Sequence, residues 1–352
     1  MNELMPPEAV VRLDDPQTGL RGFIVLHSTA LGPAAGGCRL WRYADEASAS
    51  EDALRLAAGM TMKNALAGLP LGGGKAVLML PEAPFSRSQL FEAFGRAVNA
   101  LDGRYVTAED VGTAVEDMAL VAEHTQHVAG LPRQGEGPGG DPSPWTALGV
   151  FRAMEVAVRR RLGRSLSEVT VAVQGVGHVG MALCELLHAA GARLVIAEAR
   201  SELAARAATR FGADLVSSRA ITTVPADVFS PCALGGVLNV ATVPTLSARV
   251  VCGAANNQLA MPEVADLLAR RKVLYAPDYV VNAGGIINVA AEYLGWPQES
   301  VPVRVEGIAD RLSQVLEVAE DRGISPARAA ALLARQVVAE GRPGSDKAAL
   351  AA

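Results

Sequence analysis

The sequence predicts an α/β protein of two domains, the second built on a doubly wound parallel sheet. Three observations carry that reading. At 352 residues the chain exceeds one ordinary hydrophobic core, and with 50% hydrophobic and 20% charged residues it has material for two. The stretch GLPRQGEGPGGDPSP is too dense in Gly and Pro for regular structure, which puts a boundary near residues 132–145. Beyond it, short apolar runs alternate with amphipathic helices, the pattern of a parallel sheet with crossovers.

In chain order, residues 20–31 read as an extended segment ending at a turn. SASEDALRLAAGMTMKNAL reads as a helix with a serine cap and Glu51-Asp52 in its first turn. LPLGGGKAVLMLP is expected to be a glycine-rich turn leading into a strand, and SRSQLFEAFGRAVNAL a second helix. YVTAED reads as a strand running out into acidic residues, and TAVEDMALVAEH as a helix start that Glu109 or Asp110 could cap. After the Pro-rich stretch come the helix TALGVFRAMEVAVRRRL, the strand VTVAVQ, the helix HVGMALCELLHAAG and the strand RLVIAEAR. The helix LAARAATRFG and strand ends at DVFSPCA and VVCGAAN follow. The chain is helical from about residue 300, through VRVEGIADRLSQVLEVAEDRG and SPARAAALLARQVVAE, and RPGSDKAALAA reads as frayed.

Several function classes fall away early. A net charge of −5 without a basic stripe argues against nucleic acid. No apolar run reaches the length of a membrane span, and MNELMPPEAVVRLDD lacks the pattern of a signal peptide. Cys38, Cys184, Cys232 and Cys252 are widely spaced and form no C-x-x-C pair, so reduced, mostly buried thiols in a cytoplasmic protein are expected. His124 and His127, three apart, are expected on one solvated helix face, and no metal is called for.

Gly175-Val176-Gly177-His178-Val179-Gly180 follows VTVAVQ and opens a helix. In this dinucleotide-binding, Rossmann-type fingerprint the first glycine allows the tight turn, the second lets backbone approach a pyrophosphate, and the third allows close packing of helix on strand. The helix N-terminus offers N–H groups and partial positive charge to phosphate. Glu198, 18 residues beyond Gly180, is placed to accept bonds from ribose hydroxyls and to repel a 2′-phosphate. NAD is therefore favoured over NADP, although Arg200 two residues on keeps NADP open.

The first half carries a second constellation. A dehydrogenase acting on an amino acid must anchor a carboxylate, take a proton from an amine and activate water against an imine. Lys63 lies late in a mostly buried helix, where a lysine seldom sits without a partner; a substrate carboxylate would be one, and Gly36 and Gly37 could add backbone N–H groups. A snorkelling surface lysine is the alternative for Lys63. Lys75 ends LGGGK, but the spacing of a phosphate loop is missing, so a catalytic lysine is the better reading. Burial and a nearby Lys63 would both lower its pKa and free the amine to act as base. Asp110 follows at a strand end.

Taken together, GPAAGGCRLW, GMTMKNALAGLPLGGGKAV, YVTAEDVGT, GDPSP, VAVQGVGHVG, CGAANNQL and YAPDYVVNAGGIINVA resemble the Glu/Leu/Phe/Val dehydrogenase superfamily, most closely its leucine and valine members, over roughly residues 25–295. The resemblance implies an N-terminal substrate and dimerisation domain, residues 1–140, with a helix at 325–345 returning to it. It implies a Rossmann NAD-binding domain at 141–324 and a cleft that closes around the reaction. It further implies that Lys63 binds the substrate carboxylate, that Lys75 is the base, and that Asp110 handles the amine proton and orders Lys75. Asn256 and Asn282 are then near the nicotinamide ribose and substrate, Thr146 near the nicotinamide amide, and Ala35, Ala108, Ile286 and Val289 line the side-chain pocket.

The implied activity is reversible oxidative deamination of Leu, Val or Ile to the 2-oxo acid and ammonia. An aromatic substrate, Phe or Trp, is the alternative, because Ala35 is shared with phenylalanine enzymes. A non-catalytic NAD-binding protein is the remote alternative, since Lys63, Lys75 and Asp110 are all present. A hydroxy-acid dehydrogenase would want a His–carboxylate pair, and none of the five histidines falls in the constellation. Octamer-forming leucine dehydrogenases resemble one another in a longer C-terminal segment than the one after Glu340 here, so the resemblance implies a homodimer, with a higher homo-oligomer as the alternative.

Overall fold

The computed structural model describes residues 6–132, 138–233 and 235–341. Part of the Pro-rich stretch, and all of the RPGSDKAALAA segment expected to fray, lie outside the described residues. The chain divides into two compact units, residues 1–141, 286–301 and 334–352, and residues 142–285 and 302–333.

The first unit is built on a mixed six-stranded sheet. β1 (Ala9–Asp15) and β2 (Leu20–Ser28) form a hairpin, and β2 pairs antiparallel with β5 (Gly72–Met79). The short β3 (Ala34–Ala35) runs parallel between β5 and β6 (Tyr105–Val106), while β4 (Cys38–Trp41) pairs parallel with β5. Strand alternation divides the core. Ile24, Leu26 and Leu78 face the helices α2 (Arg87–Asn99) and α3 (Val115–Ala122), which supply Leu90, Phe91, Phe94 and Met118. Phe23, Val25 and Val77 face α1 (Glu46–Leu66), which supplies Ala49, Ala53 and Ala57. The small alanines let α1 lie close to the sheet.

The second unit opens with α4 (Ser143–Leu162), ended by Gly163 in the left-handed region. β7 (Thr170–Gln174), α5 (His178–Ala189), β8 (Arg193–Ala197), α6 (Ser201–Phe211), β9 (Asp214–Leu215), β10 (Val228–Pro231), β11 (Val250–Val251), α7 (Val264–Arg270) and β12 (Leu274–Tyr275) follow. All six strands are parallel, in the order β12-β11-β10-β7-β8-β9. Numbered along the chain from β7, this is the doubly wound order 3-2-1-4-5-6, whose switch point lies between β7 and β10. The remaining helices are α8 (Asp278–Val281), α9 (Gly284–Leu294), α10 (Ser300–Arg322) and α11 (Pro326–Glu340). No helix among the described residues is long and apolar enough to cross a membrane.

The structure differs from the sequence reading in identifiable ways. α1 starts at Glu46, because the Asp45 carboxylate accepts the Ser48 N–H at 2.7 Å and caps the helix ahead of the serines. Neither Glu109 nor Asp110 caps α3; Asp117 reaches back to the Ala114 N–H at 2.8 Å. The glycines of LGGGK form no turn and lie within β5. Residues 286–301 cluster with the first unit, where Glu292 accepts the N–H groups of Gly130 (3.0 Å) and Leu131 (2.9 Å). In α11 the first unit begins at Ala334, because Ser325 and Arg328 are tied to Asp266 of α7 in the second. His124 and His127 both lie past the end of α3, so they share no helix face, and His127 Nδ1 is 3.1 Å from the Tyr293 hydroxyl.

Candidate active site

Three glycines let β5 pack without side chains, Gly73 against α1 and its neighbours against β2 and β6. A Cβ on Gly73 would stand 2.1 Å from Thr61 N and Oγ1, and one on Gly72 1.9 Å from the Ser28 carbonyl. One on Gly74 would meet the Tyr105 ring at 2.9 Å. The triplet is therefore a packing surface. Asn64 fastens the same contact, donating from Nδ2 to the Gly72 carbonyl at 2.5 Å. Lys63, half-buried in the last turn of α1, is carried on this fixed frame.

Lys75 sits in the fourth position of β5, 5% exposed, and its Nζ donates to Asp110 Oδ2 at 2.7 Å. The neighbour on the Lys75 ammonium is thus a carboxylate, whereas the sequence argument invoked a like charge from Lys63. Asp110 lies beyond β6 in a turn that is held at several points. The Asp110 N–H donates to Thr113 Oγ1 at 2.9 Å, and that hydroxyl lies 2.9 Å from the carbonyls of both Cys38 and Asp110. Arg87 holds the far side, donating to the Gly112 carbonyl and, through two nitrogens, to the buried Asp117. Burial pushes the Asp110 carboxyl up, but Lys75, Arg39 and the Val111 N–H outweigh it, and the group is held below the ordinary carboxylate range.

Gly36 and Gly37 pass this turn so closely that a Cβ on Gly37 would lie 2.9 Å from Asp110 Cβ. The Gly36 N–H donates to the Val106 carbonyl at 3.1 Å, so the pair cannot both serve a substrate. The Gly37 N–H has no acceptor among the described residues. Ala35 and Ala108 are buried in the same unit, and Ile286 and Val289 lie three apart, half-buried, on one face of α9.

In the second unit the fingerprint turn divides its work among three glycines. Gly175 has φ 91° and leaves no room for a side chain beside Ala233. A Cβ on Gly180 would lie 2.1 Å from the Gly175 carbonyl, so α5 sits directly on the turn. Gly177 caps α5, and its nearest neighbour would be an Arg200 nitrogen at 3.8 Å; this face of the turn is open to a phosphate. Val176 is buried there, whereas His178 is exposed and Val179 half-buried in the first turn of α5. Glu198 Oε2 accepts the Val176 N–H at 2.9 Å, and Oε1 accepts the Arg200 N–H and Nε at 3.1 and 3.0 Å. Burial raises Glu198, yet these donors hold it below the usual range.

Asn282 Nδ2 donates to Asn256 Oδ1 at 2.8 Å and to the Ala254 carbonyl at 3.1 Å, which brings the two predicted asparagines together. Asn282 Oδ1 is buried with no hydrogen-bond donor among the described residues. Thr146 lies inside the first turn of α4, bonded to the Pro142 carbonyl and packed under Gly285. An open glycine face at a helix start and an orphan acceptor suit a nicotinamide dinucleotide.

Comparison with known proteins agrees with this layout. Residues 7–127 match the model of the Glu/Leu/Phe/Val dehydrogenase dimerisation domain, and residues 141–203 and 196–342 match that of the Glutamate/Leucine/Phenylalanine/Valine dehydrogenase domain. The chain belongs to the Glu/Leu/Phe/Val dehydrogenase family. It is 47% identical to leucine dehydrogenase of Thermoactinomyces intermedius over 94% of this chain and 90% of that protein. It is 46% identical to valine dehydrogenase of Streptomyces coelicolor, over 96% and 93%. The crystal structure of L-tryptophan dehydrogenase from Nostoc punctiforme superposes with a TM-score of 0.84 at 37% identity, covering 96% of this chain and 97% of that one. As a family member the protein is an amino-acid dehydrogenase with a nicotinamide cofactor.

Sequence reasoning passed over one group in this dehydrogenase. Arg39 of β4 donates through Nε to Asp110 Oδ2 at 3.1 Å and through Nη1 to Asp52 Oδ2 at 3.0 Å. The signal was available: a cation in a short strand beside buried Cys38 and Leu40 needs an acidic partner.

Proposed function

We propose that the chain catalyses the NAD-dependent, reversible oxidative deamination of a branched-chain aliphatic L-amino acid to its 2-oxo acid and ammonia. The observation that carries this reading is the buried Lys75 ammonium bonded to an ionised Asp110 in a turn beside Gly37. The substrate class rests on relatives named leucine and valine dehydrogenase at 47% and 46% identity, against 40% for a tryptophan dehydrogenase. Buried Ala35 and Ala108, with Ile286 and Val289, fit an apolar side chain without hydrogen-bonding demands.

Lys63 pairs with the substrate carboxylate, and the Gly37 N–H supports it. Asp110 takes a proton from the substrate ammonium and returns it to nitrogen when ammonia departs. NAD, when bound, supplies the hydride acceptor. Lys75, as the neutral amine, takes a proton from water as the water oxygen bonds to the iminium carbon. The carbinol hydroxyl gives its proton to Asp110, the carboxylate again once it has protonated the nitrogen, as the C–N bond breaks and the carbonyl forms. On the cofactor side, Gly177 and the start of α5 bind pyrophosphate and Glu198 binds ribose. Asn256, Asn282 and Thr146 are assigned to the nicotinamide end. Glu198 supports NAD over NADP, because a 2′-phosphate would meet its carboxylate.

The match of residues 7–127 to a dimerisation domain supports a homodimer. Four unpaired thiols, three of them buried, support a reducing, cytoplasmic setting.

The test is NADH formation over a panel of L-amino acids with NAD and NADP at alkaline pH. Turnover of Val, Leu and Ile is expected, falling about 10²- to 10⁴-fold in Lys75→Ala. Turnover of Phe or Trp alone would overturn the substrate class, and no turnover beside intact NADH binding would overturn the activity.

A further inference from the structure

Lys75 must lose its proton to act as base, and at that moment Asp110 loses the ion pair that Lys75 provides. A buried carboxylate left without a counter-charge would hold a proton itself and could not take one from the substrate ammonium. The structure contains a second cation on the same atom. Arg39 Nε and Lys75 Nζ both donate to Asp110 Oδ2, at 3.1 and 2.7 Å. A guanidinium stays charged throughout the working pH range. Its other end is fixed, since Arg39 Nη1 is bonded to Asp52, whose Oδ2 also accepts the Tyr43 hydroxyl at 2.6 Å and whose Oδ1 accepts Arg55.

We propose that Arg39 is a positioning residue for the deamination. As a permanent counter-charge on Asp110 Oδ2, it keeps Asp110 ionised beside a neutral Lys75 until the carboxylate takes the ammonium proton, and leaves Oδ1 to face the substrate amine. Asp52 in turn sets how much of the Arg39 charge reaches Asp110. The proposal rests on the assignment of Lys75 as base.

Among the other titratable groups around the pair, the Tyr105 phenol of β6 is buried and pushed well up, hence neutral. From β4, the Cys38 thiol is buried and pushed well up, hence neutral. Arg87 of α2 and Asp117 of α3 neutralise one another. Arg55 and Asp52 of α1 are paired, and the Tyr43 phenol, raised by burial and by Asp52, is also neutral. Glu109, next in the turn, is held above the usual range by burial, with Asp141, Glu116 and Glu292 adding to it. Arg39 is therefore the cation beside Lys75 on which the Asp110 charge depends.

The experiment is the pH dependence of kcat for oxidative deamination in wild type, Arg39→Gln, Arg39→Lys and Asp52→Asn, with Lys75→Ala as reference. Removing Arg39 takes away a cation that holds Asp110 in its ionised form. The acid limb is expected to move to higher pH by about one unit in Arg39→Gln, and to return most of the way in Arg39→Lys. Asp52→Asn unmasks the Arg39 charge, so its limb moves the opposite way, to lower pH. A purely structural role would lower kcat in both variants without moving the limbs in opposite directions, and that result overturns the proposal. Should Arg39→Gln fail to fold, the sign of the Asp52→Asn shift decides alone. An active wild type with inactive Lys75→Ala and unmoved limbs would sink only the Arg39 role. Undiminished turnover by Lys75→Ala would sink the base assignment itself.

Discussion

Replacing Gly73 by alanine tests the claim that the glycine triplet is a packing surface that positions Lys63. The new methyl carbon would lie 2.1 Å from Thr61 N and Oγ1 and 2.4 Å from Thr61 Cα. Two of those atoms are backbone, so no rotamer change relieves the clash. Reaching an ordinary carbon contact of about 3.5 Å requires β5 and α1 to part by roughly 1.4 Å. Overpacking of this kind costs about 1–3 kcal/mol, and a backbone obstacle belongs at the upper end. The Thr61 hydroxyl would also leave His27 Nδ1, now 2.8 Å away. Lys63 lies two residues along the same helix and moves with it. A misplacement of about 1 Å is worth on the order of 10²-fold in rate, so kcat/KM should fall by that factor, mainly through KM for the amino acid. Urea unfolding and steady-state kinetics read the two effects. Gly59, in the same helix with nothing within 4 Å of a Cβ, is the control, and Ala there should stabilise by roughly 0.5–1 kcal/mol. A Gly73→Ala enzyme with the wild-type urea midpoint and wild-type KM would refute the reasoning.

Three further outcomes follow from the geometry. Asp117→Asn weakens the two-nitrogen clasp of Arg87 and the Ala114 N–H bond; since Arg87 is half exposed, a loss of about 1–3 kcal/mol is expected, with a lower kcat as the Asp110 turn loosens. Unchanged urea unfolding would remove the clasp from the argument. Glu198→Gln should weaken NADH binding and narrow the preference over NADPH, read by fluorescence titration of both cofactors; equal affinities before and after would contradict the ribose role. The third outcome concerns acid. Asp52 is raised by burial but brought below its ordinary range by Tyr43, Arg55 and Arg39, and Asp110 is likewise depressed. A depressed carboxyl stabilises the fold above its unfolded pKa and loses that contribution as pH falls through the folded value. The urea midpoint should therefore drop below about pH 4, and less steeply in Asp52→Asn or Asp110→Asn; identical acid profiles would exclude these groups as the cause.

Much of the second unit was legible because its rules are local. A strand, a glycine turn, a helix and a distant acid occupy fixed spacings, and the turn needs positive φ at Gly175 and bare backbone at Gly180 whatever surrounds it. The first unit yielded its residue types but less of its shape. Strands of two to four residues such as β3 and β4 are too short for periodicity to register. The β1 strand, AVVRLDD, carries polar residues because it is an edge and went unread. LGGGK looked like a turn because glycine marks turns more often than strands, and only the third dimension reveals that Thr61, Ser28 and Tyr105 occupy the places of the missing side chains.

The electrostatics of the site illustrate the same limit more sharply. Sequence reasoning set two lysines against each other, since Lys63 and Lys75 were the cations it could name. The fold instead gives Lys75 a carboxylate and gives that carboxylate a second cation. Arg39, Lys75 and Asp110 lie on β4, β5 and the turn after β6, and sequence distance says nothing of one oxygen atom shared between two of them. What brings them together is the sheet register, Cys38 against Ala76 and the Cys38–Glu109 bridge, which sets Arg39 and Asp110 each one residue beyond a paired position. A shift of one residue in β4 would turn Arg39 to the opposite face and replace it with an apolar side chain. The charge pattern that makes Asp110 useful is therefore a property of strand pairing, and the close glycine packing around β5 is what makes that pairing attainable.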